Sequence, residues 1–229
     1  MLMTREPLVE DEMMIRAIAF DFDGVLAESV DVKTHAYTHL FAEEKKETVE
    51  EIRTYHLING GISRFEKFRH IYKNILRRPL SEEKFHSLCE RFSQLVVDEV
   101  VASPWVAGAK DFLQENRGKY IFFIISGTPH EELADIVRSR GMESFFQEVL
   151  GSPDSKEDLL KGVMQRHSLE PKQMVFVGDA ETDWSAAQKT KIPFIWRQAS
   201  ENVSPLKNFS GVSISSLLQL SDSLSQVRP

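Results

Sequence analysis

An apolar run near the amino end, Ile15-Arg16-Ala17-Ile18-Ala19-Phe20-Asp21-Phe22-Asp23-Gly24-Val25-Leu26, is interrupted by two aspartates and a glycine. A run of that length bounded by glycine predicts a buried β-strand. From 30 to 101 the pattern changes: apolar residues recur at helical spacing, at Phe65, Phe68, Ile71, Tyr72 and Ile75, then at Phe85, Leu88, Phe92, Leu95 and Val96. No convincing strand interrupts them, so this block predicts a small helical unit. Its breaks fall at Asn59-Gly60-Gly61 and at Pro79, and Ser81 with Lys84 marks a fresh helix start.

Beyond Pro104 short apolar strands alternate with helices. Residues 120–125 read as one strand. In the segment that follows, Thr128 is read as a helix cap, Pro129 as the first helical position and Glu131 as the acid of a capping box. That helix runs to about Arg140 and stops at Gly141. Further strands are predicted at 148–150, 174–177 and 192–196, and a helix opens at Ser155-Lys156. The serine-rich tail carries a short strand at 212–214 and a helix at 216–220. Alternation of this kind implies an α/β fold with a parallel sheet and right-handed crossovers, the helical block being inserted after the first strand.

Chemistry sits at the strand ends. Carboxylates at the carboxyl edge of a buried strand lie where open α/β sheets bind ligands, and two like charges this close call for a cation or a shared proton. The plain alternative is a turn, because Asp and Gly are common turn formers. Asp21 and Asp23 follow the first strand, Ser126 and Thr128 the second, Lys156 the third, Asp179 and Asp183 the fourth. In a parallel sheet these ends converge on one edge. Carboxylates with no imidazole or thiolate beside them suit Mg²⁺, while a hydroxyl, a lysine and helix amino termini suit phosphate.

That pairing gives each residue a candidate role. Asp21 is the nucleophile toward phosphorus, and Asp23 the acid and base for the leaving oxygen and the incoming water. Ser126, with the Gly127 backbone and the Thr128 hydroxyl, holds the transferring oxygen. Lys156 neutralises phosphoryl oxygens and carboxylates, although alone it would read as a solvated helix-start lysine. Asp179 completes the metal shell, with Asp183 in support one helical turn later and Glu181 as a rival.

The overall balance narrows the partners. The 28 Lys and Arg against 35 Asp and Glu give a net charge of −7, which argues against nucleic acid or an anionic membrane as the main partner and leaves small phosphorylated ligands open. The single Cys89 excludes an intramolecular disulfide and a cysteine-cluster metal site, and with Leu88 and Phe92 around it reads as a buried structural thiol. No secretory signal or membrane span is visible, so the cytoplasm is the expected compartment.

These motifs together resemble the haloacid dehalogenase-like superfamily. The matching segments are Asp21-Phe22-Asp23-Gly24-Val25-Leu26, Ser126-Gly127-Thr128, Lys156 after Gly151-Ser152-Pro153, and Gly178-Asp179 with Asp183, in family order. The resemblance implies a Rossmann-like core formed by residues 1–27 and 105–229, with a helical cap at 28–104. It implies Mg²⁺-dependent phosphoryl transfer through an aspartyl phosphate, with metal contacts from Asp21, the Asp23 backbone carbonyl and Asp179. The acidic Asp23 points to the phosphatase and phosphomutase branches, similar to phosphoglycolate phosphatase and β-phosphoglucomutase, acting on a small phosphorylated metabolite. A phosphomutase, a phosphonate-cleaving enzyme using Lys33 or Lys67, and a non-catalytic phospholigand-binding protein are the rival readings. Within the cap, Arg64 and Lys67 are candidates to reach a second anionic group, although each taken singly reads as part of a solvated basic face. Arg53, His56 and His35 are weaker candidates.

Overall fold

The central strands are apolar on both faces, so they need cover on both sides. The computed structural model describes residues 14–198, 206 and 208–227, and it provides that cover. Strands β1 (Ala17–Phe20), β2 (Ile121–Pro129), β3 (Glu148–Ser152), β4 (Met174–Gly178), β5 (Phe194–Arg197) and β6 (Val212–Ile214) form one sheet in the order β3-β2-β1-β4-β5-β6. Every neighbouring pair is parallel. Between β1 and β2 lie α1 (Val30–Leu40), α2 (Lys46–Ile58), α3 (Arg64–His70), α4 (Glu82–Ala102) and α5 (Ala109–Glu115). The later connections carry α6 (His130–Ser139), α7 (Lys156–Arg166) and α8 (Glu181–Thr190), and α9 (Leu220–Leu224) follows β6.

Side chains alternate across the sheet with period two. Ile18, Phe20, Phe122, Ile124, Val175 and Val177 pack with α5 and α6, whereas Ala17, Ala19, Phe123, Ile125, Met174 and Phe176 pack with α7 and α8. The strand order reverses at β1, which pairs β2 on one side and β4 on the other. Phe20 stands in register with both Ile124 and Val177, so the residues that follow these three strands meet at one edge. That switch point is where an open α/β sheet binds its ligand.

Helices α1 to α4 build the cap around aromatic contacts: Tyr37 lies 4.7 Å from Phe92 and 5.5 Å from Phe68, ring centre to ring centre. Polar contacts tie the cap to the core. Arg64 of α3 forms a two-pronged ion pair with Glu132 of α6, and the Thr182 hydroxyl at the start of α8 donates to the Gly60 carbonyl at 2.8 Å. No helix among the described residues is long and apolar enough to cross a membrane.

Two helix starts follow the expected chemistry: Ser81 accepts from the Lys84 amide at 3.2 Å and Ser155 from the Asp158 amide at 3.1 Å. The start of α6 does not. Strand β2 runs on to Pro129, whose backbone is extended, and α6 opens at His130 with no side-chain cap. The Thr128 hydroxyl, which as a cap would accept from a backbone amide, instead donates to the Asp23 carboxylate and accepts from Lys33, both charge-assisted contacts. The tail helix expected at 216–220 divides into a tight turn at Leu217–Gln219 and α9.

Candidate active site

β1 ends at Phe20, and the next amide still holds the register: Asp21 N–H donates to Val177 O at 2.9 Å. The chain then folds back on itself, with the amides of Leu26 and Ala27 both donating to Phe22 O. Gly24 permits this turn with φ of +77°. Arg197 fastens the turn from β5 by donating to Gly24 O at 3.0 Å and to the Glu28 carboxylate at 2.6 Å. A Cβ on Gly24 would stand 2.3 Å from Asp179 Oδ2. Gly24→Ala therefore faces both left-handed strain and a clash with a site carboxylate. It is expected to lower the melting temperature and weaken Mg²⁺ affinity at least about tenfold, read by thermal melts with and without Mg²⁺. An unchanged metal response would break the link between this turn and the acidic cluster.

Asp21 is 2% exposed. Oxygens of Asp21, Asp179 and Asp183 lie within 4.8 Å of one another. The ammonium of Lys156 sits among them, 2.5 Å from Asp183 Oδ1 and 3.0 Å from Asp21 Oδ1. The contact to Asp21 is an ion pair out of hydrogen-bond alignment, so Oδ1 is a buried oxygen without a donor. Burial pushes the Asp21 carboxyl up to about 7; Lys156 opposes this, while Asp183 and Asp23 add to it. Burial likewise drives Asp179 well above the usual carboxylate range, assisted by the charges of Asp21 and Asp183. Asp183 is fully saturated: Oδ2 accepts from the Ala180 amide at 3.0 Å while Oδ1 holds Lys156.

Asp23 is treated differently. Its carboxylate accepts from Ser29 Oγ at 2.6 Å, from Thr128 Oγ1 at 3.2 Å and from the ammonium of Lys33 on α1. Lys33 also donates to Thr128 Oγ1 at 2.8 Å. Burial works to raise the Asp23 pKa, but the charge of Lys33 and the donated hydrogen bonds outweigh it and hold the group below the ordinary range. Two carboxylates one residue apart are thus set apart by their surroundings.

The loop 59–63 lies over this cluster. A Cβ on Gly61 would come 2.2 Å from Thr182 Oγ1 and 3.0 Å from Lys156 Nζ, and one on Gly127 would meet Gly61 O at 2.2 Å. Glycine at both places lets the two backbones approach. Beneath the loop is a cavity of about 570 Å³, lined by Asp21, Asp23, Ser126, Gly127, Thr128, Asp179 and Glu181 from the core and by Lys33, His56, Arg64 and Lys67 from the cap. The volume is that of a small-molecule site.

A family model described as "Haloacid dehalogenase-like hydrolase" matches residues 18–197, from the middle of β1 to the end of β5. The chain belongs to the haloacid dehalogenase-like hydrolases. It is 24% identical over 183 residues to a phosphoglycolate phosphatase of Vibrio cholerae, a match covering 76% of this chain and 80% of that one. Among solved structures it is similar to a predicted phosphoglycolate phosphatase from Haemophilus somnus, with a TM-score of 0.72 and 18% identity over 91% of this chain and 97% of the other. It is also similar to β-phosphoglucomutase from Clostridium difficile, with a TM-score of 0.72 and 17% identity over 93% and 98%.

In this dehalogenase-like hydrolase, Asp21, Asp23, Ser126, Gly127, Thr128, Lys156, Asp179 and Asp183 stand at one edge of the sheet. Ser126 is buried, and its Oγ accepts from the Thr128 amide at 3.2 Å. Arg64 lines the same cavity, but its guanidinium is held by Glu132 and by the Ser93 hydroxyl at 2.6 Å, and stacks on Phe92. Arg64 and Lys67 are both buried, which removes the solvated-face reading of either. Ser29 and the pairing of Lys33 with Asp23 were not anticipated from sequence. Their one signal is position, six and ten residues after Asp23, at the entry to and within the first cap helix.

Proposed function

We propose that this hydrolase is a Mg²⁺-dependent phosphatase of a small phosphorylated metabolite, working through an aspartyl phosphate at Asp21. The observation that carries the reading is the contrast between the two aspartates: Asp21 has a buried oxygen with no hydrogen-bond donor, and Asp23 beside it is held by three. An undonated carboxylate oxygen is free to attack, and an oriented one is fit to move a proton.

The all-oxygen cluster suits a hard cation: among the described residues the three carboxylates share the single ammonium of Lys156, which leaves negative charge in excess. Asp21 and Asp179, with the Asp23 carbonyl, would hold the ion; Asp183, with both oxygens taken, orients Lys156 instead. Bound there, Mg²⁺ would neutralise phosphoryl oxygens as charge shifts in the transition state. Asp21 attacks phosphorus, and the bond to the leaving oxygen breaks as Asp23 delivers a proton to it. Asp23 starts as an anion paired with Lys33, and a phosphoryl dianion arriving beside it raises its affinity for that proton. Ser126 and the Gly127 backbone donate to phosphoryl oxygens, while Lys156 offsets their charge. Water then attacks the aspartyl phosphate with Asp23 as base, regenerating Asp21 and releasing phosphate.

The test is phosphate release from a panel of phosphorylated metabolites headed by phosphoglycolate, the compound in the Vibrio relative's name, followed by sugar phosphates and nucleotides. At least one is expected to be turned over. Activity is expected to fall at least about 100-fold with a chelator and to return with Mg²⁺. Full activity in chelator would remove the metal from the mechanism.

A further inference from the structure

A carbonyl that leaves a sheet at a strand end loses its ladder partner and must find another donor. Two such carbonyls flank the acidic cluster: Asp179 O, the first after β4, and Gly24 O, in the turn after β1. Among the described residues no backbone amide donates to either. Both are held instead by consecutive side chains at the end of β5. The indole N–H of Trp196 donates to Asp179 O at 3.2 Å, and Nη1 of Arg197 donates to Gly24 O at 3.0 Å. Neighbouring residues of a strand point to opposite faces of the sheet, so the two loops are gripped from both sides. Among the described residues neither side chain bonds to the carboxylate of Asp21, Asp23 or Asp179, so each acts through the backbone.

The surroundings fix both side chains. Trp196 is buried and stands edge-on to Phe209, ring centres 5.8 Å apart, in a cluster that Trp184 and Phe194 complete at 5.7 Å each. That packing sets the direction of the indole N–H. Arg197 is buried too and pairs with Glu28 at 2.6 Å, yet its Nε has no partner. A buried guanidinium with an unmade hydrogen bond is less stable than an apolar side chain of similar size. The loops that these two residues hold are in contact: a Cβ on Gly24 would stand 2.3 Å from Asp179 Oδ2 and 3.0 Å from its Cγ. Displacing either backbone therefore changes the spacing between the Asp21–Asp23 turn and the Asp179 carboxylate. We propose that Trp196 and Arg197 are positioning residues that set this spacing, and through it the affinity of the acidic cluster for Mg²⁺. The inference rests on the phosphatase reading through its Mg²⁺ site, and it adds to that site a strand end that carries none of its carboxylates.

The sheet register agrees with this role. Trp196 pairs with Gly178, the last residue of β4, which places its indole beside the carbonyl that follows. Arg197 extends the same brace to the cap linker, because its partner Glu28 lies just before α1 and donates its own N–H to Pro104 O, where the chain returns from α4. Metal ligands whose outer partners are removed lose about 10–100-fold in affinity. That range sets the size of the expected effect.

The test is Mg²⁺ affinity, measured by calorimetry on the full chain without substrate. Trp196→Phe keeps an aromatic ring in the cluster and removes the donor. It is expected to weaken Mg²⁺ binding by about tenfold or more, and Arg197→Met to do the same, with Arg197→Lys restoring part of the loss. Should Arg197→Met fail to fold, Arg197→Lys carries that arm with a smaller loss. Trp184→Phe alters the same cluster without the bond to Asp179 and is expected to leave the affinity unchanged. An equal loss in Trp184→Phe assigns the effect to packing and overturns the role of the N–H. Unchanged affinity in Trp196→Phe or in the Arg197 variants overturns the brace, as does a wild-type protein that binds no Mg²⁺. The indole ¹⁵N–¹H resonance that Trp196→Phe deletes is expected to shift saturably with Mg²⁺ in the wild type, and a resonance that ignores the metal overturns the link to Asp179. In Trp196→Phe phosphate release is expected to fall about tenfold at limiting Mg²⁺ and to recover at saturating Mg²⁺, with KM for the ester unchanged. A loss that saturating Mg²⁺ leaves in place marks a merely structural role and overturns the inference. If no phosphorylated metabolite is turned over, the phosphatase reading fails while the calorimetry still decides the brace.

Discussion

Asp21→Asn is expected to lower phosphate release at least about 10⁴-fold and, in metal-free protein, to raise the melting temperature. The two effects come from one cause. The amide keeps the size and shape of the carboxylate, so the turn from Asp21 to Ala27 and the pairing of β1 with β4 are undisturbed. It has no anionic oxygen with which to attack phosphorus. The carboxylate it replaces is buried, and its pKa is raised by that burial and by Asp183 and Asp23, against the pull of Lys156. A carboxyl whose folded pKa lies above its unfolded one contributes stability below the unfolded pKa and loses it as pH rises through the folded one. Near pH 8 the wild-type protein therefore carries an unfavourable anion that the variant lacks. Calorimetry and a phosphate-release assay on the same preparation check both halves. An inactive variant that is also less stable would make Asp21 a structural residue, and a stable variant that retains turnover would move the nucleophile elsewhere.

How much of this could be read from the chain differs sharply between core and cap. Asp21, Ser126, Lys156 and Asp179 were legible because a parallel sheet converts sequence into position: once the strands are placed, their carboxyl ends must share an edge. No comparable rule orders the cap. Helical spacing identifies Phe68 and Phe92 as inward-facing, but it does not say which helix turns a polar side chain toward the sheet. Lys33 and Lys67 were thus named only as candidates for contact with substrate, with no partner in the protein foreseen, and the structure gives the first to Asp23 and the second to His56. Thr128 shows the opposite failure. Its sequence context fits a helix cap closely, with Pro129 and Glu131 in place, yet β2 stays extended through Pro129. A hydroxyl within reach of a buried carboxylate serves that carboxylate, and local propensity yields to the tertiary demand.

Arg64 fastens the cap to the core. It was singled out for its charge, as a residue within reach of a substrate anion, and its guanidinium meets Glu132 from a helix 68 residues further on. Together with the Thr182 hydroxyl on Gly60 O, this contact holds the 59–63 loop against the core, above Lys156 and Gly127. The cavity beneath the loop is thus walled by the sheet edge on one side and by cap helices on the other.

Lys156→Met is expected to cost both activity and stability, and a second substitution is expected to separate the two. The ammonium is 2.5 Å from Asp183 Oδ1 and 3.0 Å from Asp21 Oδ1, with its side chain 7% exposed. Burial alone would lower the lysine pKa, but Asp183 and Asp21 outweigh it and hold the group charged. Methionine fills nearly the same space without the charge, leaving Asp21, Asp179 and Asp183 clustered with no internal cation. Removing one partner of a buried ion pair costs about 3–5 kcal/mol, so the metal-free melting temperature falls steeply. Added Mg²⁺ is expected to recover more stability in the variant than in the wild type. Turnover falls about 10³-fold or more, because the phosphoryl charge loses its counter-ion in the transition state. Asp183→Asn placed on top removes one stranded charge, while the asparagine oxygen can still accept from the Ala180 amide. The double variant is expected to regain much of the stability and none of the activity, a coupling that a double-mutant cycle reads directly. Recovery of turnover along with stability would instead mean that Lys156 acts only by holding the carboxylates together.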